Sequence, residues 1–93
     1  KPAVCFEFVV TDELLPWNNG SFRVMFENGK CRITDEVPQY SMKMTIGTLT
    51  TMLMGYKTAE KLYGMNRISS APEAVKRLDD TLLHSMPYIS DYI

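Results

Sequence analysis

Apolar and polar residues alternate along Val4-Cys5-Phe6-Glu7-Phe8-Val9-Val10. Val4, Phe6, Phe8 and Val10 share one face; Cys5, Glu7 and Val9 share the other. A period of two predicts a strand with one strongly apolar face. Thr11 to Gly20 holds Asp, Pro, two Asn and Gly, and reads as a loop. Ser21 to Glu27 alternates again, with Phe22, Val24 and Phe26 inward. Asn28-Gly29 follows, a hairpin signal because both central positions of the tight turn require positive φ. Lys30 to Thr34 forms the return strand. A two-residue turn sets Glu27 opposite Lys30, Phe26 opposite Cys31, Met25 opposite Arg32 and Val24 opposite Ile33. Apolar pairs then share a face and opposed charges flank the turn, whereas a one-residue slip would mix the faces.

Beyond the hairpin, Ser41 to Ile46 alternates with Met42, Met44 and Ile46 on one side. Thr45 can cap a helix running to Met54, with Leu49, Met52 and Leu53 at helical spacing and Gly55 as the stop. A short helix fits Thr58 to Tyr63, stopped by Gly64. Ser70-Ala71-Pro72-Glu73 reads as a capping box opening a third helix. Its apolar stripe is Ala71, Val75, Leu78 and Leu82, and Glu73, Lys76, Arg77, Asp79 and Asp80 lie away from it. His84 to Ile93 is an irregular tail containing Met86, Tyr88, Ile89, Tyr92 and Ile93. Strands followed by helices predict an α+β domain: an antiparallel sheet of four to five strands with three helices on one face. Ninety-three residues allow a single domain, 1–93.

Composition narrows the chemistry. The net charge is −1, so the basic footprint of a nucleic-acid binder is missing. One histidine and two distant cysteines build no metal site. Cys31 falls on the Phe26 face and Cys5 on the face away from Phe6, which argues against a bridge; nothing else suggests secretion, so reduced thiols in a cytoplasmic protein are expected. No apolar run approaches the roughly 20 residues of a membrane-spanning helix. The abrupt start at Lys1, immediately before a strand, suggests the end of a longer protein. Ser69, Ser70, Ser85 and Ser90 have no base beside them in sequence, and His84 fits a surface or capping position near a helix end. Arg23, Lys30 and Arg32 are interleaved with Glu7 and Glu27, as on a solvated face. The triplet Asn19-Gly20-Ser21 has no secretion context.

Several stretches, in order, resemble one family. Asp12 with Pro16-Trp17-Asn18-Asn19-Gly20-Ser21-Phe22 resembles a loop of the sterol-carrier-like C-terminal domain in GNAT acetyltransferases of the enhanced intracellular survival type. Thr45-Ile46-Gly47-Thr48-Leu49-Thr50-Thr51-Met52-Leu53-Met54-Gly55-Tyr56 is similar to that domain's strand-to-helix segment. Thr58-Ala59-Glu60-Lys61-Leu62 before Gly64 resembles its next helix. Pro72-Glu73-Ala74-Val75 with Leu78-Asp79, and the ending Pro87-Tyr88-Ile89-Ser90-Asp91-Tyr92-Ile93, resemble its last helix and terminus. The chain departs from that pattern in two ways: the family's usual segment before the first strand is missing, and the last residue is Ile93 rather than Phe.

The resemblance implies a sterol-carrier-like fold and an indirect function. Two upstream GNAT domains would bind acetyl-CoA and form the active site, and this chain would bind no cofactor itself. The terminal carboxylate, here that of Ile93, would reach into that site as general base. Its unperturbed pKa near 3.5 makes it a feeble base in water, which burial and proximity would improve. Tyr88, Ile89 and Tyr92 suit pinning it against a partner surface; alternatively the tail packs on its own sheet. Trp17 either contacts a neighbouring domain, as Tyr92 would, or folds over the sheet edge. Met44, Ile46, Leu49, Met52 and Leu53 are the candidate apolar groove, and the methionines Met25, Met42, Met44, Met52 and Met54 either line it or fill the core. The expected partners are the upstream domains and, in the full-length protein, further copies of itself. The competing readings are a carrier of small apolar ligands and a structural module.

Overall fold

A computed structural model describes residues 3–15, 17 and 19–85. Among these residues, five strands and three helices follow in the order β1 (Val4–Thr11), β2 (Gly20–Glu27), β3 (Lys30–Thr34), β4 (Tyr40–Thr45), α1 (Ile46–Leu53), α2 (Ala59–Gly64), β5 (Ile68–Ser69) and α3 (Pro72–Ser85). They form one sheet, ordered β3-β2-β1-β4-β5, in an α+β fold.

The apolar face of β1 seeds the core. Val4, Phe6, Phe8 and Val10 are all buried, and Phe6 has no exposed surface. The rings of Phe26, Tyr40 and Phe8 sit 5.8, 5.4 and 6.2 Å from that of Phe6. Met42 and Met44 of β4, Leu49 and Met52 of α1, Leu62 of α2 and Val75, Leu78 and Leu82 of α3 close over this layer. Met42 and Met44 are core filling, as their flexible chains allow.

The hairpin has the expected register, from Glu27–Lys30 to Val24–Ile33. Asn28 and Gly29 carry φ of 55° and 75°, the mirror-image turn that matches strand twist. Both cysteines are free, Cys5 buried and Cys31 exposed.

One pairing departs from an all-antiparallel sheet. β1 pairs with β4 in parallel, Phe6 beside Tyr40 and Val10 beside Met44, so the sheet is mixed. A parallel pair ordinarily needs a long return connection. Here β3 stops level with Glu7, through Thr34–Arg23 and Arg23–Glu7, and β4 starts level with Phe6. Residues 35–39 therefore need only cross sideways, about 14 Å over three strand spacings, and five extended residues reach about 17 Å. They run over the outer sheet face. Arg23 Nη1 donates to the carbonyls of Asp35 and Glu36, at 3.2 Å each, and Gln39 N donates to Cys5 O at 2.9 Å. This strap is what buries Cys5.

The helix boundaries carry smaller corrections. Thr45 caps α1 as expected, its Oγ1 accepting from Thr48 N, but Ile46 is the first helical residue rather than the last of a strand. Gly55, at φ 77°, follows the Met54 C-cap. Thr58 caps α2, which runs through Gly64 to a C-cap at Met65, and the left-handed residue beyond is Asn66 rather than glycine. The capping box of α3 does not form: the Ser70 hydroxyl donates to the carbonyls of Ser41 and Ala71 instead. Ala71 is exposed, and Ala74 takes its place in the buried stripe.

Candidate functional site

The sheet and helices leave an apolar cleft of about 280 Å³. Phe22, Val24 and Phe26 of β2 and Ile33 of β3 make its floor, with Phe8 behind them. Leu49, Met52 and Leu53 of α1 and Leu78 and Leu82 of α3 make its walls. The mouth is marked by Phe22, Leu53 and Ile33, exposed to 36%, 45% and 69%. Apolar side chains at such exposure, side by side, are unusual on a free surface. Arg32 and Cys31 stand at the margin. The Arg32 guanidinium is turned to the outer face, where it lies 3.7 Å from Glu27 and 3.5 Å from Glu36. The cleft suits an apolar group.

Of the groove residues expected from sequence, Leu49, Met52 and Leu53 line this cleft. Met44 is buried in the core and Ile46 is half-exposed at the start of α1, and neither lines it. Periodicity alone placed Ile46 on the strand's apolar side, whereas the strand ends one residue earlier, at Thr45, and the helix turns Ile46 away. Val24 and Ile33 were paired correctly in the hairpin, and that pairing was the available signal that β3 contributes to the floor.

A second feature is the loop after β1. Asp12 Oδ1 accepts from the amides of Leu14 and Leu15 at 3.0 and 3.1 Å, and Asn19 Oδ1 accepts from Asp12 N at 2.7 Å. These bonds hold a loop that presents Leu14 at 89% and Trp17 at 77% exposure. Trp17 therefore does not fold over the sheet edge. Tyr92 and Ile93 lie outside the described residues.

The outer sheet face carries the polar side chains. Arg23 Nε lies 3.5 Å from Glu7 Oε2, and Ser41 Oγ donates to Glu7 Oε1 at 3.1 Å. Burial beneath the strap pushes the Cys5 thiol above its ordinary range, and the nearby Glu36 carboxylate adds to the effect. No group of three or more metal-ligating side chains occurs among the described residues. No helix among them is long and apolar enough to cross a membrane.

Residues 1–90 match the sterol carrier protein domain. The chain belongs to that family. Solved sterol carrier structures share the fold. The sterol carrier protein 2 of Yarrowia lipolytica superposes with a TM-score of 0.51 at 7% identity, over 82% of this chain and 67% of that one. The sterol carrier protein domain 2 of Helicoverpa armigera gives 0.54 at 15%, over 87% and 68%. A conserved protein from Enterococcus faecalis V583, described as of unknown function and a probable N-acyltransferase, gives 0.72 at 25% identity over 85% of this chain. This sterol carrier domain spans 20% of that protein's length. Among curated proteins, none matches the chain.

Proposed function

We propose that this sterol carrier domain is the C-terminal accessory part of an acetyl-CoA-dependent N-acetyltransferase. The supporting observation is the likeness to the enterococcal protein, higher in both identity and superposition than the likeness to the two sterol carrier structures. In this reading upstream GNAT domains bind acetyl-CoA and hold the amine. The domain contributes the Leu14–Trp17 loop as a contact surface and the carboxylate of Ile93 as general base. A general base in that position accelerates transfer by about 10²–10⁴-fold. The test is the rate of amine acetylation by the intact protein with Ile93 removed or its carboxylate amidated. A fall in kcat is expected, and unchanged kinetics would remove the catalytic role.

The cleft favours a second reading, a carrier of small apolar ligands. Its volume lies near the lower end of ligand pockets, about 300 Å³. Native mass spectrometry of the gently purified protein would show a co-purified apolar ligand, and an empty protein would count against it.

A further inference from the structure

We propose that the free edge of β3 takes up an extended partner segment whose residues alternate apolar and acidic. This rests on sheet geometry and is independent of the acetyltransferase reading. β3 is the outermost strand on its side of the sheet. A two-residue turn makes Glu27–Lys30 a hydrogen-bonded pair, and bonded pairs then alternate with unbonded ones along the ladder. The amides and carbonyls of Lys30, Arg32 and Thr34 thus face β2, and those of Cys31 and Ile33 face outward. Among the described residues, no loop or turn bond takes up these outward groups.

The side chains of β3 alternate in the same rhythm. Cys31 and Ile33 point to the cleft side, and Ile33 is 69% exposed beside the cleft mouth. Lys30 and Arg32 point to the opposite face. Lys30 has no ion-pair partner among the described residues, and the Arg32 pairs are exposed ones that an incoming carboxylate can replace. A strand laid along β3 would bond to Cys31 and Ile33, extend the apolar row into the cleft, and set its other side chains against two cations. Carboxylates fit there.

The same geometry disfavours a second copy. Antiparallel self-pairing must match outward residues with outward residues. Pairing Cys31 with Cys31 sets Lys30 against Arg32 twice, and pairing Cys31 with Ile33 sets Arg32 against Arg32. Like charges directly opposite are destabilising. The remaining register, Ile33 against Ile33, overlaps only the last part of the strand. Charged edge residues of this kind are a common guard against self-association.

The probes are two short blocked peptides, one alternating Leu and Glu, the other Leu and Lys, titrated into isotopically labelled protein and followed by amide NMR. The Leu/Glu peptide is expected to slow exchange at the Cys31 and Ile33 amides and to bind at least about tenfold more tightly than the Leu/Lys peptide. Lys30→Glu should narrow or reverse that preference. Ile33→Pro removes an outward donor that β2 does not use, a position where an edge strand tolerates proline, so it should abolish binding with the spectrum of β1 and β2 intact. Equal affinity for the two peptides, protection elsewhere, or protection arising from concentration-dependent dimerisation without peptide would overturn the proposal.

Discussion

Phe6 has no exposed surface, and three aromatic rings pack around it. Truncating a residue so placed removes apolar burial and leaves a cavity that β1 and the helices cannot collapse into. Phe6→Ala should cost about 3–5 kcal/mol in denaturant unfolding. The two cysteines make the opposite contrast. Cys31 is exposed and Cys5 is covered by the strap, so a thiol reagent should label Cys31 readily and Cys5 only on unfolding. The buried Cys5 thiol holds its proton more tightly in the folded chain than in the unfolded one. Stability should therefore fall as pH rises above about 8.5, where the unfolded thiol begins to ionise. The slope of stability against pH should flatten in Cys5→Ala, whatever that variant does to absolute stability.

At the scale of elements, the β2–β3 hairpin and the start of α1 were legible in sequence because their determinants are local. Asn28-Gly29 fixes the turn, and Thr45 sits one residue before the helix it caps. Gly29 stands at φ 75° with open space where a Cβ would go. Gly29→Ala should thus cost about 1 kcal/mol from backbone strain alone, measured by thermal unfolding. Thr58 as the cap of α2 was legible too, but the second tie at the start of that helix was not. Asp79 Oδ1 and Oδ2 accept from the amides of Ala59 and Glu60, each at 2.8 Å, across about 20 residues of sequence. From the sequence Asp79 looked like one more charge on the solvated face of α3. In the fold it ties α3 to α2 and balances orphan donors at the helix start. Asp79→Ala should cost about 1–2 kcal/mol, with α2 amides losing hydrogen-exchange protection first. β5 was missed for another reason: two residues, Ile68 and Ser69, carry no period.

Across the whole molecule, the apolar faces were readable and the direction of β4 was not. Alternation says which side of a strand is buried, but it is silent on whether a neighbour runs parallel or antiparallel. The early end of β3 and the five-residue strap decide that, and both depend on residues far apart in the chain. The candidate site divides in the same way. Leu49, Met52 and Leu53 followed from helical spacing, while Phe22, Ile33 and Leu82 join them only through the fold. Under the proposed function, this domain would complete an acetyltransferase whose catalytic domains lie upstream. The most direct measurement is acetyl-CoA turnover with an amine acceptor by the intact parent protein and by the same protein lacking this domain. Loss of the terminal general base alone predicts a rate lower by about 10²-fold or more without the domain. Equal rates from the two proteins would contradict it.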